Sequence, residues 1–214
     1  MTRRILTRFL DIAASIVLSV LFAPLLLLTA ILIKLDSRGP VFFRQLRAGR
    51  TGKLFLIWKF RTMVPDAVNR GAGLLVSQND PRITSVGSWL RKSRIDELPQ
   101  LFNVFLGEMS IVGPRPLLPD YLHAYSTQER RRMSVKPGMT GWQQVHGGSR
   151  NTWDERIALD LWYVDHRSVW VDLKVLFLTL PVVFKFEGVY GKDGWQRSGL
   201  PARAQQTIER QLEQ

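Results

Sequence analysis

Cysteine is absent from the 214-residue chain, so no disulfide forms and no thiolate is offered to a metal. Histidine is nearly absent too. His123, His146 and His166 are widely spaced and form no HxxxH pair, which argues against a histidine-rich metal site. An oxygen-ligated Mg²⁺ stays open. There is no Walker-type glycine loop and no GxGxxG, so neither common nucleotide cradle is present. No internal repeat and no low-complexity linker interrupts the sequence. Acidic residues are scarce at the start: before Asp66 stand eleven Lys/Arg against only Asp11 and Asp36. Much of the formal charge of +12 lies there, and such a surface suits phosphates on a nucleotide, an anionic lipid or a nucleic acid.

What the chain does have is one long apolar run. Residues 12–33, "IAASIVLSVLFAPLLLLTAILI", carry no charge over 22 residues, enough to cross a hydrocarbon core of roughly 30 Å. A cleaved signal peptide fits poorly, because the run is too long and Lys34, Asp36 and Arg38 follow it. Pro24 sits in mid-run, where it removes a backbone hydrogen bond and kinks a helix. Arg3, Arg4 and Arg8 precede the run and Lys34, Arg38 and Arg44 follow, so the positive-inside tendency gives no orientation. A straight span and a helix that bends at Pro24 and returns to the same face both remain open. Residues 169–186, "VWVDLKVLFLTLPVVFKF", make a poor span; an interfacial helix and a buried core helix fit equally.

The apolar fraction of 45% supports a core in a single domain. "GPVFFRQLRAGRTGKLFLIWKFRTM" reads as a strand pair turning at Arg50–Lys53. "AVNRGAGLLVSQNDPR" reads as a loop, and "RITSVGSWLRKSRI" as a helix. A further helix runs through "DELPQLFNVFLGEM" and stops near Gly107. Residues 119–133 and "TWDERIALDLWYVDHRS" have helical patterns, whereas "KPGMTGWQQVHG" reads as a loop with a short strand. The tail after Leu200 is polar. The expected fold is α+β: a mostly helical, membrane-associated single domain with a small β-hairpin. Its expected parts are residues 1–36 in the membrane, 37–200 as the catalytic domain and 201–214 as the tail.

Asp96 and Glu97 stand side by side in "SRIDELPQLFN". A helix starting near Ile95 places both in its first turn, where Pro99 is tolerated and negative charge is favoured. Complementing the helix dipole is the plain reading of such a pair. The neighbours point to chemistry. Arg91 and Arg94 lie just before it, Arg115 is fixed between prolines in "GPRP", and Lys59 and Arg61 come from "KFRTM". Successive helical residues point about 100° apart, so the two carboxylates can reach one site from different sides. One can attack while the other holds a metal or governs a proton.

"DELPQLFNV", "GEMSIVGPRPLLPDY" and "KPGMTGWQQVHG", in that order, resemble the monotopic polyprenyl-phosphate phosphoglycosyl transferases, the bacterial initiating sugar transferases. The similarity runs from about Arg8 to Gly188 and includes "KFRTM" and "DLWYVDHRSVWVDLKVL". The resemblance implies transfer of a sugar 1-phosphate from a UDP-sugar to polyprenyl (undecaprenyl) phosphate with release of UMP. It implies Asp96 as nucleophile forming a phosphosugar–aspartate intermediate, Glu97 as its partner, and Mg²⁺ at both. Arg91 and Arg115 match phosphate-binding positions, and Asp172 matches a further aspartate. Arg150 arrives two places later than the family's arginine. The family's N-terminal helix is re-entrant and bends at Ser-Pro; this chain has Ala23-Pro24. The implied site is the bacterial inner membrane, with the catalytic domain on the cytoplasmic face. The expected partners are a UDP-sugar, polyprenyl phosphate and inner-membrane lipids, with a homo-oligomer compatible and no nucleic acid. The competing reading is a non-enzymatic basic protein bound to anionic lipid, supported by the basic first third.

Overall fold

The computed structural model describes residues 2–67, 70, 76–184, 189–191, 195 and 196. Helix makes up 59% of it, and the strands are few and short, so the α+β expectation holds. The expected tail, 201–214, lies outside the described residues, as do parts of the 67–82 loop and residues 185 and 186 of the expected interfacial helix.

The apolar run is broken, not straight. Helix α1 covers Thr2–Leu21 and α2 covers Ala23–Asp36. The chain bends by 61° between them. Pro24 is the second residue of α2, where its missing N–H costs little. Phe22 N still donates to Leu18 O and Leu26 N to Phe22 O, so the backbone stays bonded on both sides of the bend. Among the described residues no single helix is long and apolar enough to cross a membrane, and the bent pair meets that test only together. Phe9, Val17, Val20, Leu27 and Leu35 on the pair are exposed.

Strands β1 (Phe42–Ala48) and β2 (Leu54–Phe60) form the expected antiparallel hairpin, with Phe42 opposite Phe60 and Ala48 opposite Leu54. The turn at Arg50–Gly52 contains Thr51 at φ 57°. Strand β3 (Val76–Ser77) pairs with β6 (Trp195–Gln196), and β4 (Ser110–Val112) runs parallel to β5 (Gly138–Thr140). Helix α3 (Ser85–Ser93) starts where Thr84 Oγ1 accepts from Gly87 N, 3.0 Å. Gly87 has no room for a side chain: a Cβ would lie 2.0 Å from Thr62 O. That close approach brings α3 onto the end of β2.

Helix α4 (Gln100–Leu106) ends at Gly107, φ 86°, as expected. Its Leu101, Asn103 and Val104 are buried, and Phe55 and Ile57 of the hairpin pack on Val104 and Met109. Residues 119–133 are not one helix: a 3₁₀ stretch at Pro119–Ala124 leads to α5 (Thr127–Arg130) and a further 3₁₀ turn at Arg131–Ser134. Proline at the start and a Ser126 cap in the middle break the pattern. Where a loop was expected, α6 (Trp142–Val145) supplies one helical turn. Helix α7 (Trp153–His166) begins with a capping box between Thr152 and Glu155. Helix α8 (Val169–Phe184) buries Val175 against Val112 and Tyr163, and leaves Trp170, Phe177 and Phe184 exposed.

Candidate active site

Arg94 ends α3 in the left-handed conformation, φ 58° and ψ 13°, which non-glycine residues rarely adopt. The chain therefore turns sharply, and Ile95–Glu97 form a separate 3₁₀ turn ahead of Pro99 and α4. Asp96 and Glu97 thus sit between two helices and not, as the sequence suggests, in the first turn of one. The left-handed Arg94 is a backbone event that periodicity does not reveal.

This turn faces a cavity of about 520 Å³. Lys59 Nζ lies 2.7 Å from Glu97 Oε1, and Arg115 Nη2 lies 2.7 Å from the same oxygen. Arg115 Nη1 also reaches Glu97 Oε2 at 3.5 Å. Asp96 shares the cavity wall, yet among the described residues its carboxylate accepts no hydrogen bond. The two acids titrate accordingly. Burial pushes Asp96 up to about 6, and Glu97 adds to this, against the pull of Lys59, Arg91 and Arg115. Burial also pushes Glu97 upward, but Arg115 and Lys59 outweigh it and hold Glu97 well below the usual carboxylate range. Burial lowers Lys59, opposed by Glu97.

The expected cations gather here in part. Lys59, Arg61, Arg91 and Arg115 all line the cavity. Arg91 comes from α3, with Nε 3.3 Å from Tyr190 OH and Nη1 3.5 Å from Thr62 Oγ1. Arg115 is held by its prolines, and its carbonyl accepts from Arg132 Nη2 at 3.2 Å. Arg61 spends its donors away from the dyad: Nε on Pro40 O at 2.6 Å, Nη1 on Ser37 Oγ at 2.7 Å and Nη2 on Ser37 O at 2.9 Å. It fastens the hairpin to the end of α2. Arg150 is exposed in the Gly148–Arg150 turn, and neither it nor Asp172 lines the cavity. Asp172 Oδ1 accepts from Tyr163 OH at 2.7 Å, joining α8 to α7.

Arg94, named beside the dyad in the sequence, lines the cavity too, which also holds cations that sequence reasoning passed over: Arg47, Arg132 and Arg156. Arg47 was within reach of strand alternation, since 43, 45 and 47 share the hairpin face of Lys59. Its Nη2 donates to Gln45 Oε1 at 2.7 Å, and burial, with Arg115 beside it, lowers it to about 10. Arg132 is buried and ion-paired with Asp160, which burial pushes to about 6. Arg156 donates to Ser149 O at 2.8 Å and Asn151 O at 3.0 Å. Arg132 and Arg156 stand far from the dyad in sequence, and no local pattern marks them.

A cavity lined by cations, with a carboxylate that accepts no hydrogen bond among the described residues, has the electrostatics that suit a polyanion. The fold combines an exposed, bent apolar helix pair with a cation-lined cavity around the Asp96–Glu97 pair. The family model of bacterial sugar transferases matches residues 2–186, and the chain belongs to that family. It is 44% identical over 185 residues to the uncharacterized sugar transferase EpsL of Bacillus subtilis, covering 86% of this chain and 90% of that one. It is 45% identical over 184 residues to an undecaprenyl-phosphate glucose phosphotransferase of Komagataeibacter xylinus, covering 81% of this chain and 35% of the relative. It is 41% identical over 182 residues to the UDP-N-acetylgalactosamine-undecaprenyl-phosphate N-acetylgalactosaminephosphotransferase of Aeromonas hydrophila, covering 82% and 43%. The chain thus spans less than half of these two longer relatives.

Proposed function

We propose that this chain transfers a sugar 1-phosphate from a UDP-sugar to polyprenyl phosphate and releases UMP. The observation that carries the reading is the division of the dyad: Glu97 is held by Lys59 and Arg115, while Asp96 is left unengaged in the same cationic cavity. The names of the relatives, two of which cite undecaprenyl phosphate, agree with it.

In the first step an Asp96 oxygen attacks the β-phosphorus of the UDP-sugar. The bond from that phosphorus to the bridging oxygen breaks, and UMP leaves with the electron pair. In the second step a phosphate oxygen of the lipid attacks the same phosphorus and Asp96 departs as a carboxylate. A covalent intermediate lets a soluble and a lipid substrate visit one site in turn. Lys59, Arg91 and Arg115 would neutralise the pyrophosphate, whose charge otherwise repels an anionic nucleophile. Glu97 positions Lys59 and Arg115 at the site of attack.

Among the described residues no cluster of three or more His, Asp or Glu side chains is present. Mg²⁺ needs fewer, since it keeps waters and takes one or two carboxylates with substrate phosphate oxygens. The unengaged Asp96 carboxylate beside Glu97 fits that donor set. Bound there, Mg²⁺ would supply further charge neutralisation on the pyrophosphate.

The bent pair would enter the membrane and return to the same face, its 61° break at Pro24 serving in place of a straight crossing. Basic residues flank both ends, which suits the cytoplasmic face of a bacterial inner membrane. The test is a panel of UDP-sugars with undecaprenyl phosphate and Mg²⁺, read as UMP. One sugar should give lipid-dependent turnover. If none gives UMP, the reading fails.

A further inference from the structure

A two-stranded hairpin with one face on the core ordinarily turns polar residues outward. This one does not. Phe55 and Ile57 are buried beneath it, while Phe42, Leu46, Leu54 and Leu56 on the opposite face are 42–49% exposed. Leu46 stands opposite Leu56, and Phe42 meets Trp58 edge-on, with ring centroids 5.7 Å apart. A sheet face with four exposed large apolar side chains and only Arg44 charged among its strand residues marks a surface that something covers.

We propose that the outer face of the β1–β2 hairpin rests on an anionic membrane surface, as a contact additional to the bent helix pair. The hairpin is fastened where α2 ends: Arg61, the residue after β2, donates to Ser37 O and Pro40 O. Its apolar face continues onto α4 through Trp58, whose ring meets Phe102 edge-on at 5.7 Å. Phe102, Phe105 and Leu106 are exposed in turn, and α4 is tied to α1 by Arg8, which donates to Val104 O and Phe105 O at 2.6 Å each. One apolar surface therefore runs from the bent pair to the hairpin.

Charge selects the occupant. Of the seven Lys/Arg in residues 37–65, Arg47, Lys59 and Arg61 serve the cavity or the joint to α2; Arg38, Arg44, Arg50 and Lys53 remain, and the segment has no Asp or Glu. Arg44 lies over the Trp58 ring at 5.1 Å, and Arg50 and Lys53 flank the hairpin turn. Aromatic rings bearing cations suit the headgroup layer, where each basic residue gains from anionic lipid. A second copy docked face to face would bring these cations together with no acid in the segment to offset them.

The proposal rests on membrane attachment of the chain but not on the transfer chemistry, and its test needs no turnover. The chain has no cysteine, so Leu46→Cys, Leu54→Cys and Leu56→Cys each introduce a single thiol for a spin label. The full chain is placed in nanodiscs containing phosphatidylglycerol, with Val17→Cys on α1 as the lipid reference and Asp154→Cys on α7 as the water reference. Collision rates with O₂ and with a water-soluble nickel chelate are measured. The hairpin labels should favour O₂ over nickel several-fold more than the Asp154 label. Hairpin labels that match Asp154 while Val17 reports lipid overturn the hairpin contact alone. If Val17 also matches Asp154, the membrane attachment goes with it. Dipolar coupling between hairpin labels of two copies, at one chain per disc on average, would assign the face to self-association and overturn the proposal as well.

Discussion

Lys59 Nζ and Glu97 Oε1 lie 2.7 Å apart, and this contact gives the two adjacent acids different jobs. Glu97 also receives Arg115, so its charge is already answered within the protein. Asp96 feels the same cations but accepts no hydrogen bond among the described residues, and in the proposed reaction it meets the substrate. Two neighbouring carboxylates of the same charge become unlike groups because only one is paired.

If Asp96 is the nucleophile, incubation with a UDP-sugar labelled in the sugar, without lipid, should label the protein and release UMP at about one equivalent. Asp96→Asn should abolish both, and lower turnover by roughly 10⁴-fold or more. Mass spectrometry of the denatured protein checks the adduct. A labelled Asp96→Asn protein would sink the covalent role of Asp96.

Glu97→Gln should act differently. It removes the counter-charge of Lys59 and Arg115 while leaving Asp96 in place. Breaking a buried ion pair costs about 3–5 kcal/mol. Both folding stability and turnover should fall, and some adduct should still form slowly. Comparing adduct formation rate with melting temperature separates this outcome from that of Asp96→Asn.

The hairpin, α3, α4 with its glycine stop, and α7 were legible because period and caps agree in each. The dyad and five of the cavity's cations, Lys59, Arg61, Arg91, Arg94 and Arg115, were legible as residue types. What sequence could not give was their backbone setting. Arg94 in the left-handed region moves the dyad out of α4 into its own turn. Arg61 lines the cavity yet spends its guanidinium on Ser37 and Pro40, which no spacing announces. Arg132 and Arg156 arrive through long-range packing of the 3₁₀ turn and α7. The 520 Å³ cavity exists only because those distant segments meet around Lys59 and Arg115.

Asp80 and Arg82 make a pH-dependent clamp. Arg82 Nε and Nη2 hold the carboxylate at 2.8 and 2.7 Å, and Nη1 donates to Ala67 O and Arg70 O. The hydrogen bonds from Arg82 hold Asp80 below its ordinary value of 3.8. A lowered folded value means that the contribution is present above 3.8 and is lost as pH falls through the folded value. Asp80→Asn should therefore cost about 3 kcal/mol at pH 7. The difference from wild type should shrink as pH drops below about 4. Urea midpoints at pH 7 and pH 3.5, followed by tryptophan fluorescence, check it.

Asp11 joins α1 to β4. It is 4% exposed, and its Oδ1 accepts from Ser110 Oγ at 2.9 Å and from Ile111 N at 3.0 Å. Ser110 and Ile111 open β4, which leads through Gly113 to Arg115 of the site. Asp11→Ala leaves a buried hydroxyl and a part-buried N–H without their acceptor, at about 1–3 kcal/mol for the buried one. Arg8 still caps α4, so the helix pair should stay attached but lose its register against β4. Turnover should fall several-fold, and the reaction with the UDP-sugar alone should fall less than the lipid step, because the displaced element is the one proposed to enter the membrane. Single-turnover rates for adduct formation and for transfer to lipid read the two steps separately. Equal loss in both would mean that Asp11 acts through stability alone.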